Sequence, residues 1–303
     1  MLSLYTRRQD VAATILRSGT MTQADSKSSQ QVTKQRPALF RALGKAEPPL
    51  EITVDGEVCQ RVEIYKHDSW AATSLYSGKQ GLVIAKFNRQ QRIGFVSMRW
   101  LGYWLARHEA TLLSRLQSLP NIPRLLGPVY VNGRLASNVV ARRYIAGHPM
   151  RSKEVLPTTF FDELQSTLKE VHAHKIAYMD LHKRENIIVG DDGKPYLIDF
   201  QVSYLLPDGW WPKFTLLPWM LNLFQKSDDY HCTKHIVRHS TMEPVAAKAK
   251  LNAARPFWIK IHRFFAVPVR EMRRRLLVVL GIRKGKGRVE TEAFAEDGLR
   301  QAA

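Results

Sequence analysis

Residues 176–204, IAYMDLHKRENIIVGDDGKPYLIDFQVSY, hold the side chains best suited to chemistry. Asp180 and Asn186 precede the apolar run Ile187-Ile188-Val189, and Asp199 follows the run Tyr196-Leu197-Ile198. Gly190-Asp191-Asp192-Gly193 separates the runs. Two β-rich runs around a Gly/Asp cluster predict a β-hairpin. Such a hairpin brings Asp180, Asn186 and Asp199 to one end of itself. Two carboxylates and an amide oxygen are hard ligands, suited to Mg²⁺ and the phosphates it accompanies. The bland alternative is a surface hairpin whose Asp and Asn serve only the turns.

This stretch resembles the catalytic core of the protein-kinase-like superfamily. Asp180-Leu181-His182 through Asn186 stands for the catalytic loop, and Asp199-Phe200-Gln201 for the metal-binding Asp-Phe-Gly. There are departures. Tyr178 takes the place of the usual His, the Asp-to-Asn spacing is one residue longer, and Gln201 replaces Gly.

The elements that must position these residues lie upstream. Glu51 to Val54 and Val58 to Tyr65 flank Asp55-Gly56 and predict a hairpin. Residues 66–76 read as a Ser/Thr-rich link, Gly78 to Gly81 as a turn, and Leu82 to Phe87 as a third strand. Val83-Ile84-Ala85-Lys86 resembles the Val-Ala-Ile-Lys strand of kinases, whose Lys holds the α- and β-phosphates and pairs with a Glu on the next helix. Residues 96–118 predict that helix, from Met98, Leu101, Leu105, Leu112 and Leu116. Glu109 is the only carboxylate between Ser69 and Lys153, so it is the only candidate partner for Lys86 in that stretch. No Gly-rich covering loop is present; Ser69, Thr73 and Ser74 are the polar candidates for that place. Ser137 to Tyr144 predicts a strand that runs into Ile145-Ala146-Gly147-His148-Pro149, a hinge, and the resemblance places the adenine against backbone near Tyr144 and Ala146.

Phe160 to His174 predicts an amphipathic helix leading into the central stretch. Beyond Phe200 there is no Ala-Pro-Glu motif. An aromatic segment from Leu206 to Phe224 is expected to pack in the core. His231, His235 and His239 fall on one helical face, but eight residues of helix span about 12 Å, too far for one ion. Asp228 or Asp229 on the same helix is expected to brace the catalytic loop.

The chain has 303 residues and a formal net charge of +19, which points to phosphates, nucleic acid or anionic lipid as partners. Cys59 and Cys232 offer no disulfide framework. No apolar run reaches bilayer-spanning length. A cytoplasmic protein, peripheral on the inner face of the cell membrane, is expected. Residues 248–288 carry thirteen Lys or Arg and one acid, Glu271, with Trp258, Phe264 and Phe265 interleaved. That composition predicts attachment to an anionic membrane surface, with nucleic acid as the competing partner.

Together these readings predict an α+β, two-lobed fold: a flexible segment 1–49, a β-rich N-lobe 50–146, a mainly helical C-lobe 147–266 and a basic tail 267–303. The missing Gly-rich loop, the missing Ala-Pro-Glu and the basic aromatic C-terminus resemble the bacterial lipopolysaccharide core kinases. Asp-Leu-His resembles the aminoglycoside and choline kinases, and RIO kinases are more distant relatives. The resemblance implies ATP- and Mg²⁺-dependent transfer to a hydroxyl of a sugar or glycolipid. Lys86 and Glu109 would serve the phosphates, Asp199 and Asn186 the metal, and Asp180 the acceptor hydroxyl. A pseudokinase scaffold and a RIO-like protein kinase that binds RNA are the alternatives.

Overall fold

The computed structural model describes residues 37–256, apart from Lys153, 211–213, 241–242 and Arg255. Residues 1–36 of the expected N-terminal segment and the basic tail from 267 lie outside the described residues, as does all but the start of the basic aromatic segment.

Strands β1 (Glu51–Val54) and β2 (Glu57–His67) form the predicted hairpin. Asp55 and Gly56 both take positive φ, 52° and 76°, a twist that suits a two-residue hairpin turn. Next comes β3 (Ala71–Gly78), where the sequence suggested a link, and then β4 (Gly81–Asn88). The strand was hidden because both its faces are covered. Leu75 packs with Tyr65 and Ile84, while its neighbour Tyr76 enters the main lobe core with Ile52, Val54 and Phe87. A strand buried on both sides shows no alternation to read. β5 (Val129–Val131), β6 (Arg134–Leu135) and β7 (Val139–Arg143) complete a seven-stranded antiparallel sheet of order β6-β5-β1-β2-β3-β4-β7. A bridge between Leu125 and Arg142 curls it.

Helix α1 (Arg99–Arg115) packs on β4 and β7. It starts later than predicted because Ile93 and Val96 exchange two backbone hydrogen bonds of 3.0 Å around a tight turn. Gly102 is required where α1 meets the end of β4: a Cβ there would collide with the Arg89 carbonyl.

The second lobe holds β8 (Gly147–Pro149), α2 (Phe160–Ala173), β9 (Ile176–Ala177), β10 (Ile187–Gly190), β11 (Pro195–Leu197), β12 (Tyr204–Leu205), α3 (Leu217–His239) and α4 (Pro244–Ala254). β10 and β11 are the predicted central hairpin, with Ile187 opposite Leu197, and β8 pairs on the other side of β10. Phe160, Leu164, Leu168 and Val171 of α2 share one core with Leu181, Leu197 and Phe200, and Leu112 and Leu113 of α1 and Leu116 just after it join this core. The curled sheet with its helix, followed by a mainly helical lobe, is a two-lobed, protein-kinase-like α+β fold.

The aromatic segment 206–224 corrects the expectation of core packing. Trp210, Phe214, Leu216 and Trp219 are exposed, and among the described residues of the segment Leu221 is the one that is buried. Leu217 already begins α3, whose inner face at that end is narrow.

Candidate active site

Lys86 lies on β4, whose neighbours β3 and β7 hold it in register opposite Thr73 and Val140. Its ammonium stands 2.6 Å from Asp199 Oδ1 and 3.1 Å from Glu109 Oε2. Glu109 projects from the buried face of α1, and Asp199 comes from the end of the central hairpin, so three separate elements converge on one cation. Burial alone would lower the Lys86 pKa, but the two carboxylates raise it above the usual lysine range. Burial pushes the Asp199 carboxyl up, yet the adjoining Lys86 outweighs this and holds it at about 2. Glu109 goes the other way: burial and the nearby Asp199 charge raise it despite Lys86. The lysine is thus shared unequally, and Asp199 carries the firmer negative charge.

Asp180 is the second centre. Its Oδ2 accepts from Lys183 Nζ at 2.7 Å and Asn186 Nδ2 at 2.9 Å, and His182 Nδ1 lies 3.4 Å from Oδ1. Ile198 donates its N–H to the Asn186 carbonyl at 3.1 Å. That bond ties the Asp180–Asn186 loop to the residue preceding Asp199. The Lys183 charge is also felt at Asp199.

Two of the residues that set this geometry have left-handed backbone without being glycine: Met179 (φ 64°) and Asp199 (φ 63°). Such positions persist only where the surroundings over-determine them. For Met179 the restraint is Asp228 on α3. Asp228 is fully buried and accepts the N–H groups of Tyr178 (2.6 Å) and Met179 (2.7 Å), with His172 Nε2 donating at 3.2 Å. Of the two expected braces, Asp228 is the one that reaches the loop. His235, on the same helix, donates from Nε2 to the Leu181 carbonyl at 2.7 Å.

Tyr178 joins the Asp180 loop to the turn that carries Asp199. Its hydroxyl donates to the Ile198 carbonyl, and its ring meets Phe200 edge-on at 5.0 Å. The hinge is partly engaged: Tyr144 N–H donates to Leu82 and the Ala146 carbonyl accepts from Asp191. The Ala146 N–H makes no hydrogen bond to a described residue. Of the covering-loop candidates, Thr73 and Ser74 lie within β3, and Ser69 Oγ donates to the Phe40 carbonyl. Asp68 takes the N–H groups of Trp70 and Ala71 in the β2–β3 turn. Lys66, at the end of β2, pairs with Asp68 at 2.9 Å and lends positive potential to Asp199. Sequence reasoning missed Lys66, which no motif marks.

The donor set fits a magnesium ion held with phosphates. Asp199 Oδ2 and Asn186 Oδ1 accept no hydrogen bond from a described residue, leaving two hard oxygens open beside Lys86. No cluster of three or more His, Cys, Asp or Glu able to hold a metal occurs among the described residues. Magnesium characteristically uses one or two protein carboxylates and takes the rest from substrate phosphates and water.

No protein-family model matches this chain, and no curated protein matches it. Among solved structures it is similar to the Rio2 kinase from Chaetomium thermophilum, at 14% sequence identity and a TM-score of 0.41. The match covers 61% of this chain and 63% of that one, so less than two thirds of the Rio2 structure is spanned. The residue roles therefore rest on this chain's own geometry.

Proposed function

We propose that the protein is an ATP- and Mg²⁺-dependent phosphotransferase acting on a hydroxyl of a sugar or glycolipid. The observation that carries this reading is the convergence on Lys86 of Glu109 and Asp199, with Asp180 and Asn186 tied to the same hairpin end.

Magnesium-bound ATP supplies the transferable phosphoryl group and neutralises part of its charge. Lys86, oriented by Glu109, holds phosphate oxygens. Asp199 Oδ2 and Asn186 Oδ1 are the residues that would hold the metal. Asp180 orients the acceptor hydroxyl and takes its proton. Lys183, against Asp180, keeps that carboxylate in place and adds positive charge beside the transferring group. Lys66, at the end of β2, adds further positive potential at Asp199. Phosphoryl transfer asks for positioning and charge neutralisation more than for covalent help, and these residues supply both.

The cationic surroundings favour an acceptor that already bears phosphate or carboxylate, as a lipopolysaccharide-core-like glycolipid does. The testing experiment is Mg²⁺-dependent transfer of label from ATP into the host's own glycolipid fraction, with Asp180→Ala and Asp199→Ala as controls. Label in lipid, lost in both variants, is the expected result. ATP binding without turnover on any fraction would point to a scaffold. Turnover on protein, with steeply salt-dependent RNA binding, would point to a RIO-like role.

A further inference from the structure

We propose that the outer face of α1, together with the turn before it, is a docking surface for an anionic lipid bilayer. Phe95 stands at the tip of the Ile93–Val96 turn and is 93% exposed. The two hydrogen bonds that close the turn, and Gly94 at φ 57°, fix this tip rather than leave it loose. Arg89, itself buried, anchors the base: its guanidinium donates to the carbonyls of Ser69 at 2.5 Å and Leu39 at 2.9 Å. A large apolar ring is thus held outward by a built support.

Behind it, Trp100, Tyr103, Trp104 and Arg107 occupy positions i, i+3, i+4 and i+7 of α1, which is one helical face. Trp100 is 63% and Trp104 53% exposed. Single exposed hydrophobes are ordinary, but a contiguous aromatic patch marks an interaction site. Tryptophan and tyrosine favour the headgroup level of a bilayer, where an apolar body and a polar tip are both satisfied.

Charge selects the partner. Arg92, Arg99 and Arg107 are exposed around the patch, and none forms an ion pair with a described carboxylate. Glu109, the only acid from Ser69 to Lys153, is buried on the opposite side of α1 against Lys86. Among the described residues, no acid of the helix or of the turn before it lies on this face. Ile93 and Val96 flank Phe95 with aliphatic surface that hydrocarbon accepts and that stacked bases could not use, which favours a bilayer over single-stranded nucleic acid. The glycolipid reading gives this surface a purpose, since α1 would hold the nucleotide-side lobe against the membrane, but the surface stands on its own residues.

The test uses the full chain and vesicles that contain no acceptor, so its result is independent of turnover. Vesicles of about three parts phosphatidylcholine to one part phosphatidylglycerol are compared with pure phosphatidylcholine near physiological salt. The triple variant Phe95→Ser/Trp100→Ser/Trp104→Ser changes exposed side chains only, and is expected to lower the partition coefficient by at least about tenfold. A second measurement places an environment-sensitive dye on Phe95→Cys; blue-shifted emission and quenching by brominated lipid are expected on the anionic vesicles. Wild-type partitioning of the triple variant with an unchanged dye spectrum would overturn the proposal. So would a triple variant that keeps its vesicle binding but loses RNA binding or self-association, because the face would then belong to a different partner.

Discussion

The Tyr178 hydroxyl donates to the carbonyl of Ile198, so one side chain of the catalytic-loop segment is bonded to the residue just before Asp199. Tyr178 is completely buried and its ring also packs against Phe200. Tyr178 therefore links the two halves of the site. Burial, and the surrounding carboxylates after it, push the phenol well above its ordinary pKa, so it remains a donor. Tyr178→Phe should cost about 1–2 kcal/mol, because it leaves the Ile198 carbonyl unpaired in the interior. Urea unfolding would register the loss. Transfer activity should fall several-fold but stay well above that of Asp180→Ala, since the phenol touches no reacting atom.

Asp228 is the firmer structural support. Asp228→Ala would strip acceptors from the N–H groups of Tyr178 and Met179 and from His172, all turned inward. The expected destabilisation is about 3 kcal/mol or more. Asp228→Asn keeps one acceptor oxygen and should recover part of it. Hydrogen exchange at Met179 provides the local check: in Asp228→Asn it should accelerate more than exchange in β4. Equal protection at both places would deny Asp228 its role as a local restraint on the left-handed Met179.

Some of this was legible in the sequence and some was not, for identifiable reasons. The hairpin of Ile187–Gly190 and Pro195–Leu197 declared itself through two apolar runs around a Gly/Asp turn, and Lys86 through the apolar strand that ends on it. Glu109 could be named by elimination, because the stretch from Ser69 to Lys153 offers no other acid. β3 could not be read, since burial on both faces erased the period that marks a strand. Trp210 and Trp219 were misplaced into the core because apolar composition does not reveal which side of a chain faces water. Lys66 escaped notice because its nearness to Asp199 depends on how the β2–β3 turn folds over the cleft, a relation between residues far apart in sequence.

A pH dependence follows from the histidines of α3. Burial first, and then the neighbours His182, Lys234, His235 and Arg238, lower His231 to about 3. Burial lowers His235 to about 4, against the opposing pull of its bond to the Leu181 carbonyl. Both are neutral in the folded protein, while the unfolded chain takes up protons near 6.5. Their contribution to stability is complete above pH 6.5 and is lost progressively as pH falls toward 4. For the buried His235 the slope is about 1.4 kcal/mol per pH unit across that window. His235→Gln keeps a donor for Leu181 and cannot titrate. Urea unfolding of the variant between pH 7.5 and 5 should lose one histidine's share of the slope; an unchanged slope would place the titration elsewhere.

The sharing of Lys86 between two carboxylates separates stability from function. Lys86→Met leaves Glu109 and Asp199 facing one another without a counter-charge in a largely buried place, which should destabilise by about 2–4 kcal/mol. Because the Glu109 carboxyl is already raised by burial and by Asp199, it is the group that would give up its charge first. Adding Glu109→Gln to Lys86→Met should therefore restore most of the stability, as the remaining Asp199 keeps access to water through its partly exposed carboxylate. Phosphate transfer should not recover in the double variant, since the cation that holds the phosphates is still missing; a loss of about 100-fold or more in kcat/KM for ATP is expected in both. Paired measurements of the urea midpoint and kcat/KM on the two variants decide the matter. Stability and turnover restored together would mean that Lys86 serves only to offset Glu109, and the phosphate-binding role would have to pass to Lys66 or Lys183.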